Sequence, residues 1–510
     1  MKKAVYWLIL IILIAAFLRF WDLPNTPLGL WADEAINGTN TIQALETRTW
    51  KVFYPENFGR EGLFINIQAL SVAIFGHEPW VLRLPSAIFG LLTVLGLYLM
   101  TRELFDARVG LFASFFLATS FWHINFSRIG FRAIMAPFFL VWSFYFLFLA
   151  MRKSKEWLFA LAGFIFGLGF HSYIAYRVAP IVALLPLWKF YRSWKKSPGE
   201  GGCAPCAIGL FIFMAILAAS PLLIYYAQNP QDFFGRTAGI SIFQSQEPLA
   251  KFSENFIKTL GMFNFAGDFN WRHNLAGSSQ LWWPVGILFV VGLWFAIRQT
   301  FGGKTFILLW FVVMLLPVAV SNESLPHALR AIVLIPPAMI FAALGLEHII
   351  KNWKLKIKNC RPALATIFLF VFFVAATAHA YNTYFNRWAG NFNVREAFRA
   401  DITDKARWIK KQPYNIKKYV ITDAVGQVDI TGTPMSFQPI IFITDTFYPQ
   451  KQAEKNIYYI SVKNLDSADC SQKCLFLPIE SKPTIYKILK GQIPNLRLDA
   501  SQEFIVVKNY

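Results

Sequence analysis

Two adjacent carboxylates, Asp33 and Glu34, follow an apolar stretch that carries two prolines, residues 23–30. A single carboxylate can take a proton from a hydroxyl group, which is general-base catalysis. Neighbouring residues of a helix face different directions, so the pair predicts one base and one supporting group. The alternative is that both acids stabilise the N-terminus of a helix expected over about 35–50. Spacing alone favours this second interpretation.

Arginines and a histidine recur at the ends of apolar segments. A phosphate that leaves during a reaction gathers negative charge, and fixed cations around it stabilise that charge. Each residue could equally be an anchor whose long side chain reaches from the membrane interface to water. A purely solvent-facing role fits Arg128 and Arg132 poorly, because both lie in a very short loop. The candidates for phosphate and donor binding are Arg60, Arg128, Arg132, Arg177, His327 and Arg330.

Three further polar residues, Glu61, Asp268 and His273, are candidates for contact with an acceptor substrate or for a role within their loops. His273 could bind a metal ion, although a histidine satisfied within its own loop is the commoner case. Glu34 could orient a neighbouring group or help to hold a divalent ion. A divalent metal ion is therefore the one cofactor that the residues suggest.

Five cysteines are too few for a disulfide scaffold. Cys203 and Cys206 form a single C-x-x-C, which cannot complete a tetrahedral zinc site alone. We interpret them as an incidental pair in a cytoplasmic loop. Cys470 and Cys474 could form a disulfide bond if their region lies outside the cytosol.

The composition is typical of a membrane protein. Of 510 residues, 56% are hydrophobic and only 15% are charged, whereas soluble chains carry about 25% charged residues. The net charge of +20 lies in short clusters between long apolar runs, where positive charge marks cytoplasmic loops. This distribution argues against a nucleic-acid partner, which would require one continuous basic surface.

Eleven apolar segments are long enough to be candidate membrane spans. With the N-terminus inside, every predicted inside loop is basic, as the positive-inside rule requires. The long loops at 21–80 and 228–281 and the C-terminal region 381–510 are then outside. The spans are predicted at 4–20, 81–100, 109–125, 133–151, 157–172, 174–191, 207–227, 282–298, 305–321, 331–350 and 362–380.

The C-terminal region differs in pattern from the rest of the chain. Short β-rich runs at 418–422, 440–443 and 457–460 alternate with polar segments, and a helix is expected near 394–411. We predict a small extracytoplasmic α/β domain at 381–510, after a transmembrane module at 1–380. The fold class is therefore a polytopic α-helical membrane protein with about eleven transmembrane helices and an α/β C-terminal domain.

Several motifs resemble a known family when they are combined with Asp33-Glu34 after the first span. The chain resembles the C-type glycosyltransferase superfamily, specifically the bacterial relatives of protein O-mannosyltransferases and of lipid A aminoarabinose transferases. The resemblance covers about the first 380 residues. The motifs lie at 57–64, 70–78, 81–86, 267–274 and 326–330.

The resemblance implies an inverting transfer of a sugar from a polyprenyl phosphate to a hydroxyl group of a protein, lipid or glycan. It implies Asp33 as the base, a location in the plasma membrane and contact with membrane lipids. Two departures leave the sugar and the acceptor open. Residues 35–37 replace an Arg-Tyr pair of the aminoarabinose transferases, and Arg60-Glu61 stand where those enzymes have Lys-Pro.

A polytopic transporter or lipid flippase is the alternative function. Transporters usually place ionisable or helix-breaking residues at mid-membrane. Here the apolar segments are mostly free of such residues, and the charged residues lie at their outer ends. This distribution favours a reaction at the outer surface.

Overall fold

The chain is described by a computed structural model, and α-helices predominate in it. The described residues are 2–196, 203–239, 241–300, 302–322, 324–356, 362–422, 428, 432–480, 482–493 and 495–510.

The helices, in chain order, are α1 (Lys2–Phe20), α2 (Ala32–Thr47), α3 (Gly62–Phe75), α4 (Pro79–Leu104), α5 (Ala107–Thr119), α6 (Phe121–Phe126), α7 (Met135–Lys153), α8 (Glu156–Leu168), α9 (Ala179–Lys196), α10 (Ala204–Gln228), α11 (Pro230–Gly239), α12 (Pro248–Gly261), α13 (Trp283–Arg298), α14 (Gly303–Ala319), α15 (Ile335–Lys356), α16 (Pro362–Tyr381), α17 (Phe392–Ala397), α18 (Ala400–Lys410), α19 (Gln438–Thr444), α20 (Pro449–Lys455) and α21 (Pro483–Gln492). A π-helical turn, Asn382–Trp388, continues α16. The strands are β1 (Phe53–Tyr54), β2 (Arg60–Glu61), β3 (Lys417–Thr422), β4 (Ile457–Ser461), β5 (Cys474–Pro478), β6 (Arg497–Asp499) and β7 (Val506–Lys508).

The helices identify a multi-pass membrane protein. Within the described residues, seven are long and apolar enough to cross a bilayer, or eight if the bent pair α13 and α14 is one broken span. Each of the eleven predicted spans falls on a helix. However, α5, α8, α13 and α14 are each shorter than a full crossing. The count of eleven therefore stays a prediction.

The chain divides into two compact units. Unit 1 contains Met1–Thr26, Glu61–Phe64 and Arg83–Asn391, and unit 2 contains Pro27–Arg60, Ile65–Leu82 and Phe392–Tyr510.

Small residues let the helices of unit 1 approach closely. A Cβ on Gly292 of α13 would lie 1.7 Å from the carbonyl oxygen of Phe341 in α15, and one on Gly163 of α8 would lie 2.1 Å from that of Phe211 in α10. Neither position can accept a larger residue unless the helices move apart. Close contacts of this kind are usual between helices in lipid, because an apolar side chain gains little free energy when it moves from lipid to a protein interior.

Unit 2 contains a five-stranded sheet in the order β4-β3-β5-β7-β6. β3 pairs in parallel with β4 and β5, whereas β7 is antiparallel to both β5 and β6. The strands predicted at 418–422 and 457–460 are confirmed as β3 and β4. The helix predicted near 394–411 is divided into α17 and α18.

The strand predicted at 440–443 was wrong, because these residues form part of helix α19. A short apolar run cannot be assigned to strand or helix by periodicity alone. Pro439 lies in the first turn of α19, where a proline favours a helix start. All seven residues of this helix are buried, which explains why its sequence shows no alternation.

The first long loop shares a core with the C-terminal region. Within unit 2, Thr39 of α2 donates its hydroxyl to Gln438 Oε1 at 2.8 Å, and a Cβ on Gly38 would lie 2.5 Å from the ring of Phe442. These contacts pack α2 on α19. The helix that was predicted at about 35–50 begins earlier, at Ala32. The compact units do not follow the predicted division at 380/381, because most of the first long loop belongs to the same unit as the C-terminal region. The division into a transmembrane module and an extracytoplasmic domain stays a prediction.

Two cysteine pairs are bonded. Cys470 and Cys474 form a disulfide, as the sequence allowed, and so do Cys203 and Cys206. The second pair was interpreted as incidental. It lies instead at the start of α10, where Cys203 is the N-cap and its sulfur accepts the Cys206 amide at 3.2 Å.

Candidate functional site

Asp33 lies in the first turn of α2, and its side chain is partly exposed. Asn57 donates its side-chain amide to Asp33 Oδ1 at 3.0 Å. Trp31 occupies the N-cap position, and no side chain caps the helix there. Asp33 therefore does not cap α2, although the helix dipole still favours an acid in this turn.

The carboxylate of Asp33 is held by a neutral group. Among the described residues, no Lys, Arg or His nitrogen lies within 4.0 Å of it. A carboxylate bonded to an amide keeps a lone pair that can take a proton. Glu34, the neighbouring acid, is completely buried, so the two carboxylates occupy different environments within unit 2.

The residue that holds Asp33 lies in an unusual turn. Asn57, Phe58 and Gly59 all have positive φ angles, of 51°, 63° and 80°. Two non-glycine residues in succession in the left-handed region are strained, and such strain is concentrated at functional sites. Gly59 is also required for space, because a Cβ there would lie 2.5 Å from the Phe53 ring.

Arg60 follows this turn and binds the same face of α2. Its guanidinium donates to Asn37 Oδ1, to Asn40 Oδ1 at 2.6 Å and to the Glu56 carbonyl at 3.2 Å. Asp33, Asn37 and Asn40 are spaced i, i+4 and i+7, which places them on one helix face. The contacts give Arg60 a structural role in unit 2, and its predicted role in phosphate binding stays a prediction.

Sequence reasoning missed Asn37, Asn40 and Glu56. The i, i+4, i+7 spacing of Asp33, Asn37 and Asn40 was the available signal for the two asparagines. Glu56 is buried, and its carboxylate lies 3.8 Å from Arg60 and 4.0 Å from Lys51. Nothing in the sequence around Glu56 distinguished it from a solvent-exposed loop acid.

In unit 1, the structure brings Glu61 and Arg132 together. Arg132 Nε donates to Glu61 Oε2 at 2.6 Å, and both side chains are largely buried. Burial opposes the ionisation of Glu61, but Arg132, with a further contribution from Arg177, holds its pKa below the ordinary value. Glu61 is therefore a paired anion at neutral pH.

Arg177 belongs to the same electrostatic environment. Its guanidinium donates to the carbonyl oxygen of Phe233 at 3.0 Å and to the Tyr226 hydroxyl at 3.3 Å. It also lies over both rings, at 4.1 Å from the Phe233 centroid and 5.3 Å from the Tyr226 centroid. Phe233 is in the predicted second outer loop, so Arg177 connects a span to that loop.

A second cluster of unit 1 joins Asp268, His273 and His327. His273 Nδ1 donates to Asp268 Oδ2 at 3.0 Å, and His327 Nδ1 lies 3.9 Å from the same oxygen. Burial opposes the ionisation of Asp268, but the two histidines and the Asn270 amide hold its pKa below the ordinary value. The potential ligand atoms of the three residues lie within 4.8 Å of one another.

This donor set fits a divalent metal ion. Two imidazoles and one carboxylate are the protein ligands of many zinc sites that keep a position open for water or substrate. The rings of Phe126 and Phe131 pack on His273, with centroids 5.7 and 6.2 Å away, and form an apolar surround.

Two other predicted cations are anchored in unit 1. Arg128 is fully buried and donates to the carbonyl oxygens of Leu18 and Thr26, at 3.3 and 2.9 Å. Arg330 is also buried, and its backbone amide donates to His327 Nδ1 at 3.4 Å. Arg128 is thus bound to backbone, whereas Arg330 is next to the cluster of Asp268, His273 and His327.

Arg19, at the end of the first span, was also missed. It is fully buried and donates to the Leu117 and Ala118 carbonyl oxygens, at 3.2 and 3.1 Å, and to His123 Nδ1 at 2.8 Å. An arginine at the end of an apolar run was interpreted only as a boundary of the span. Its burial marks an internal polar network of unit 1.

Part of the chain matches a described family. Residues 63–225 match the family "Dolichyl-phosphate-mannose-protein mannosyltransferase". The chain is also 29% identical over 227 residues to "Putative mannosyltransferase YkcB" of Bacillus subtilis (strain 168). That match covers 42% of this chain, but it spans only 29% of the relative's length.

Solved structures resemble the whole chain. ArnT from Cupriavidus metallidurans, solved with undecaprenyl phosphate bound, has a TM-score of 0.63 at 13% identity and is matched over 99% of this chain and 98% of its own. AglB, the oligosaccharyltransferase of Archaeoglobus fulgidus, solved with an inhibitory peptide and a dolichol-phosphate, has a TM-score of 0.51 at 14% identity, over 93% and 69%. The predicted resemblance is confirmed: the chain has the fold of the C-type glycosyltransferases, and its residues 63–225 match their mannosyltransferase family.

Proposed function

We propose that this protein is an inverting glycosyltransferase that moves a sugar from a polyprenyl-phosphate carrier to a hydroxyl acceptor. The observation that carries the proposal is Asp33, a partly exposed carboxylate held by a neutral amide on a strained turn. ArnT with undecaprenyl phosphate and AglB with dolichol-phosphate support a lipid-phosphate donor, because they share the fold.

In the proposed reaction, Asp33 takes the proton of the acceptor hydroxyl as its oxygen attacks the anomeric carbon. The bond from that carbon to the phosphate oxygen breaks, and the lipid phosphate leaves with the bonding electrons. Attack opposite the phosphate inverts the anomeric centre. A polyprenyl phosphate is a good leaving group, so a general acid is not required.

The negative charge that develops on the phosphate requires cations. We propose that Arg132 and Arg177 are the main contributors among the predicted residues, because each is a partly exposed cation in the surroundings of Glu61. His327 and Arg330 are further candidates. Arg60 and Arg128 are instead buried and donate to amide or backbone carbonyl oxygens, and this favours positioning roles for both.

We propose that Asp268, His273 and His327 hold a divalent metal ion. When bound, the ion would supply a fixed positive charge in this part of unit 1. Metal analysis of the purified protein should find about one ion per chain, and Asp268→Asn should lose it. Equal metal content in the variant would contradict this assignment.

Eleven spans, an extracytoplasmic C-terminal region and a plasma-membrane location complete the proposal. Every predicted inside loop is basic, and this supports the orientation. A reporter enzyme fused after residue 510 should be active only outside the cytoplasm. Cytoplasmic activity would contradict both the span count and the side on which the reaction is placed.

The decisive experiment identifies a product. The protein in lipid nanodiscs is incubated with a panel of polyprenyl-phosphate sugars and hydroxyl acceptors, and product masses are measured. Transfer that adds one sugar to an acceptor is expected from the wild type and not from Asp33→Asn. If no donor gives a product while the labelled lipid crosses proteoliposome membranes, the transporter or flippase function is correct instead.

A further inference from the structure

The disulfide between Cys203 and Cys206 has no part in the proposed reaction. Both cysteines are exposed, at the start of α10. The second disulfide has different surroundings, because Cys474 is fully buried and Cys470 is partly buried. Exchange between thiols and disulfides requires that a thiolate can reach a sulfur atom. Of the two pairs, Cys203–Cys206 is therefore the one that an external thiol can attack.

The first turn of α10 keeps the two cysteines close together. Cys203 is the N-cap and Cys206 is the third residue of the helix, so their spacing is that of helix neighbours at i and i+3. Pro205 lies between them in the first turn, where its fixed φ favours a helix start and its missing N–H is not required. Reduction can therefore break the bond between the sulfurs while the turn that carries them remains.

The same helix end stabilises a thiolate. The Cys206 amide donates to Cys203 Sγ at 3.2 Å. The free N–H groups and the dipole of this 25-residue helix also place partial positive charge at its start. A sulfur in such a position leaves more readily as a thiolate, and the leaving group controls the rate of disulfide exchange.

The predicted topology places this pair on the cytoplasmic side. Lys195 and Lys196, in the last turn of α9, precede it, and basic loops are retained inside. The cytosol keeps thiols reduced, and the disulfides that form there are usually transient, catalytic or redox-sensing. A structural role explains the bond poorly, because stabilisation by a disulfide grows with the length of the loop that it closes and a C-x-x-C pair closes a very short loop.

We propose that Cys203 and Cys206 form a redox-active dithiol that exchanges electrons with thiols of the cytosol, either glutathione or a dithiol protein. A thiolate of the reductant attacks one sulfur, the Cys203–Cys206 bond breaks, and the other sulfur leaves as a thiolate and takes a proton. A second thiol of the reductant then attacks the mixed disulfide and releases the remaining cysteine. Two electrons pass to the pair, and the reductant becomes a disulfide. This exchange does not depend on the proposed sugar transfer.

The test uses the full-length protein in nanodiscs. Cys360, the fifth cysteine, is replaced by alanine in every sample, so that free thiols report on the two pairs alone. The protein is equilibrated in glutathione buffers from oxidising to reducing, free thiols are blocked with a maleimide, and peptide mass spectrometry locates the label. The Cys203–Cys206 pair should pass reversibly between disulfide and dithiol. Its reduction should be on the order of 100-fold faster than that of Cys470–Cys474, whose Cys474 is buried.

Single variants separate exchange from a structural role. Cys203→Ser should keep the unfolding temperature, because serine is a favourable N-cap. Cys203→Ser and Cys206→Ser each leave one exposed thiol that cannot close the pair, so each should retain one glutathione in oxidising buffer, whereas the wild type should release it. Cys470→Ser is the matched control, because it leaves the buried Cys474, which should not take up glutathione in the folded protein.

The location is tested in sealed, right-side-out membrane vesicles. A reductant and a maleimide that cannot cross the membrane should label Cys203 and Cys206 only after the vesicles are opened. Replacement of glutathione by a purified dithiol protein such as a thioredoxin shows which class of thiol reacts faster.

The proposal is overturned by any of three observations. The pair may not be reduced in the folded protein even in the most reducing buffer, which would make it a structural disulfide. It stays a dithiol in the most oxidising buffer, which would leave two unconnected thiols. The impermeant reagents label it in sealed vesicles, which would place it outside the cytosol.

Discussion

Asp33 of unit 2 and Glu61 of unit 1 lie at the start of a helix but have opposite surroundings. Asp33 is in the first turn of α2, and Glu61 directly precedes α3. Asp33 is partly exposed and accepts one hydrogen bond from the neutral amide of Asn57. Glu61 is buried and receives a charged hydrogen bond from Arg132 at 2.6 Å. The same carboxylate chemistry is therefore available to substrates at one position and committed to a protein cation at the other.

This difference separates a base from a structural anion. A carboxylate paired with a buried arginine gains little from a proton, since protonation would leave the arginine without its partner. A carboxylate held by an amide can accept a proton and keep its hydrogen bond. We therefore propose that Asp33 accepts the proton, and we predict that Glu61 matters mainly through Arg132.

The largest effect is expected when Asp33 loses its ability to accept a proton. Asp33→Asn keeps the volume and an acceptor oxygen for Asn57, but it cannot take a proton. Single-turnover transfer should fall about 100- to 10,000-fold, while donor affinity and folding are nearly unchanged. Glu46→Gln, an exposed acid at the other end of α2, is the control. Transfer within threefold of the wild type would remove Asp33 from the mechanism.

The next effect concerns the partner of Glu61. Arg132→Gln should lower transfer about 30- to 1,000-fold, mainly through weaker donor use, because a cation is lost from a water-poor environment. The control is Arg152→Gln in the last turn of α7, where the arginine side chain is 60% exposed. A double variant with Glu61→Gln should regain stability without regaining donor binding. Recovery of both would show that Arg132 is only a structural residue.

A smaller effect is expected at Arg60, which fixes the face of α2 that carries Asp33. Arg60→Lys keeps the charge but cannot donate to Asn37 and Asn40 together. The turnover number should fall roughly 10-fold, through the loss of one charged hydrogen bond, with donor affinity nearly unchanged. Asn40→Ala should behave in the same way. If donor affinity falls in Arg60→Lys but not in Asn40→Ala, Arg60 binds the phosphate.

The sequence was sufficient to predict a membrane protein, because hydropathy and loop charge are local properties. Each predicted span falls on a helix, and strands β3 and β4 were confirmed. The error at 440–443 has a physical origin, since a buried helix and a buried strand can have the same apolar composition. The core shared by α2 and α19 depends on contacts 399 residues apart, such as Thr39 to Gln438, and no local pattern reports them.

The candidate residues show the same limit. Asp268, His273 and His327 were each predicted separately, and the fold brings them within reach of one ion. Asn57 lies in the motif at 57–64, but only the fold identifies it as the partner of Asp33.

The smallest expected effect is a dependence of stability on pH that distinguishes the two acids. The pKa of Glu61 in the folded protein is below its ordinary value of 4.5, so the folded state favours the ionised form. Glu61 therefore adds stability at neutral pH, and this contribution is lost as the pH falls below 4.5 and through the folded-state pKa. Each unit of pKa difference corresponds to about 1.4 kcal/mol. In nanodiscs, the unfolding temperature of the wild type should fall more between pH 6 and pH 3.5 than that of Glu61→Gln, in which this group does not titrate. Asp268 titrates in both proteins and cancels in the difference. Parallel curves for the two proteins would mean that the Glu61–Arg132 pair adds no net stability, and the contrast with Asp33 would then rest on accessibility alone.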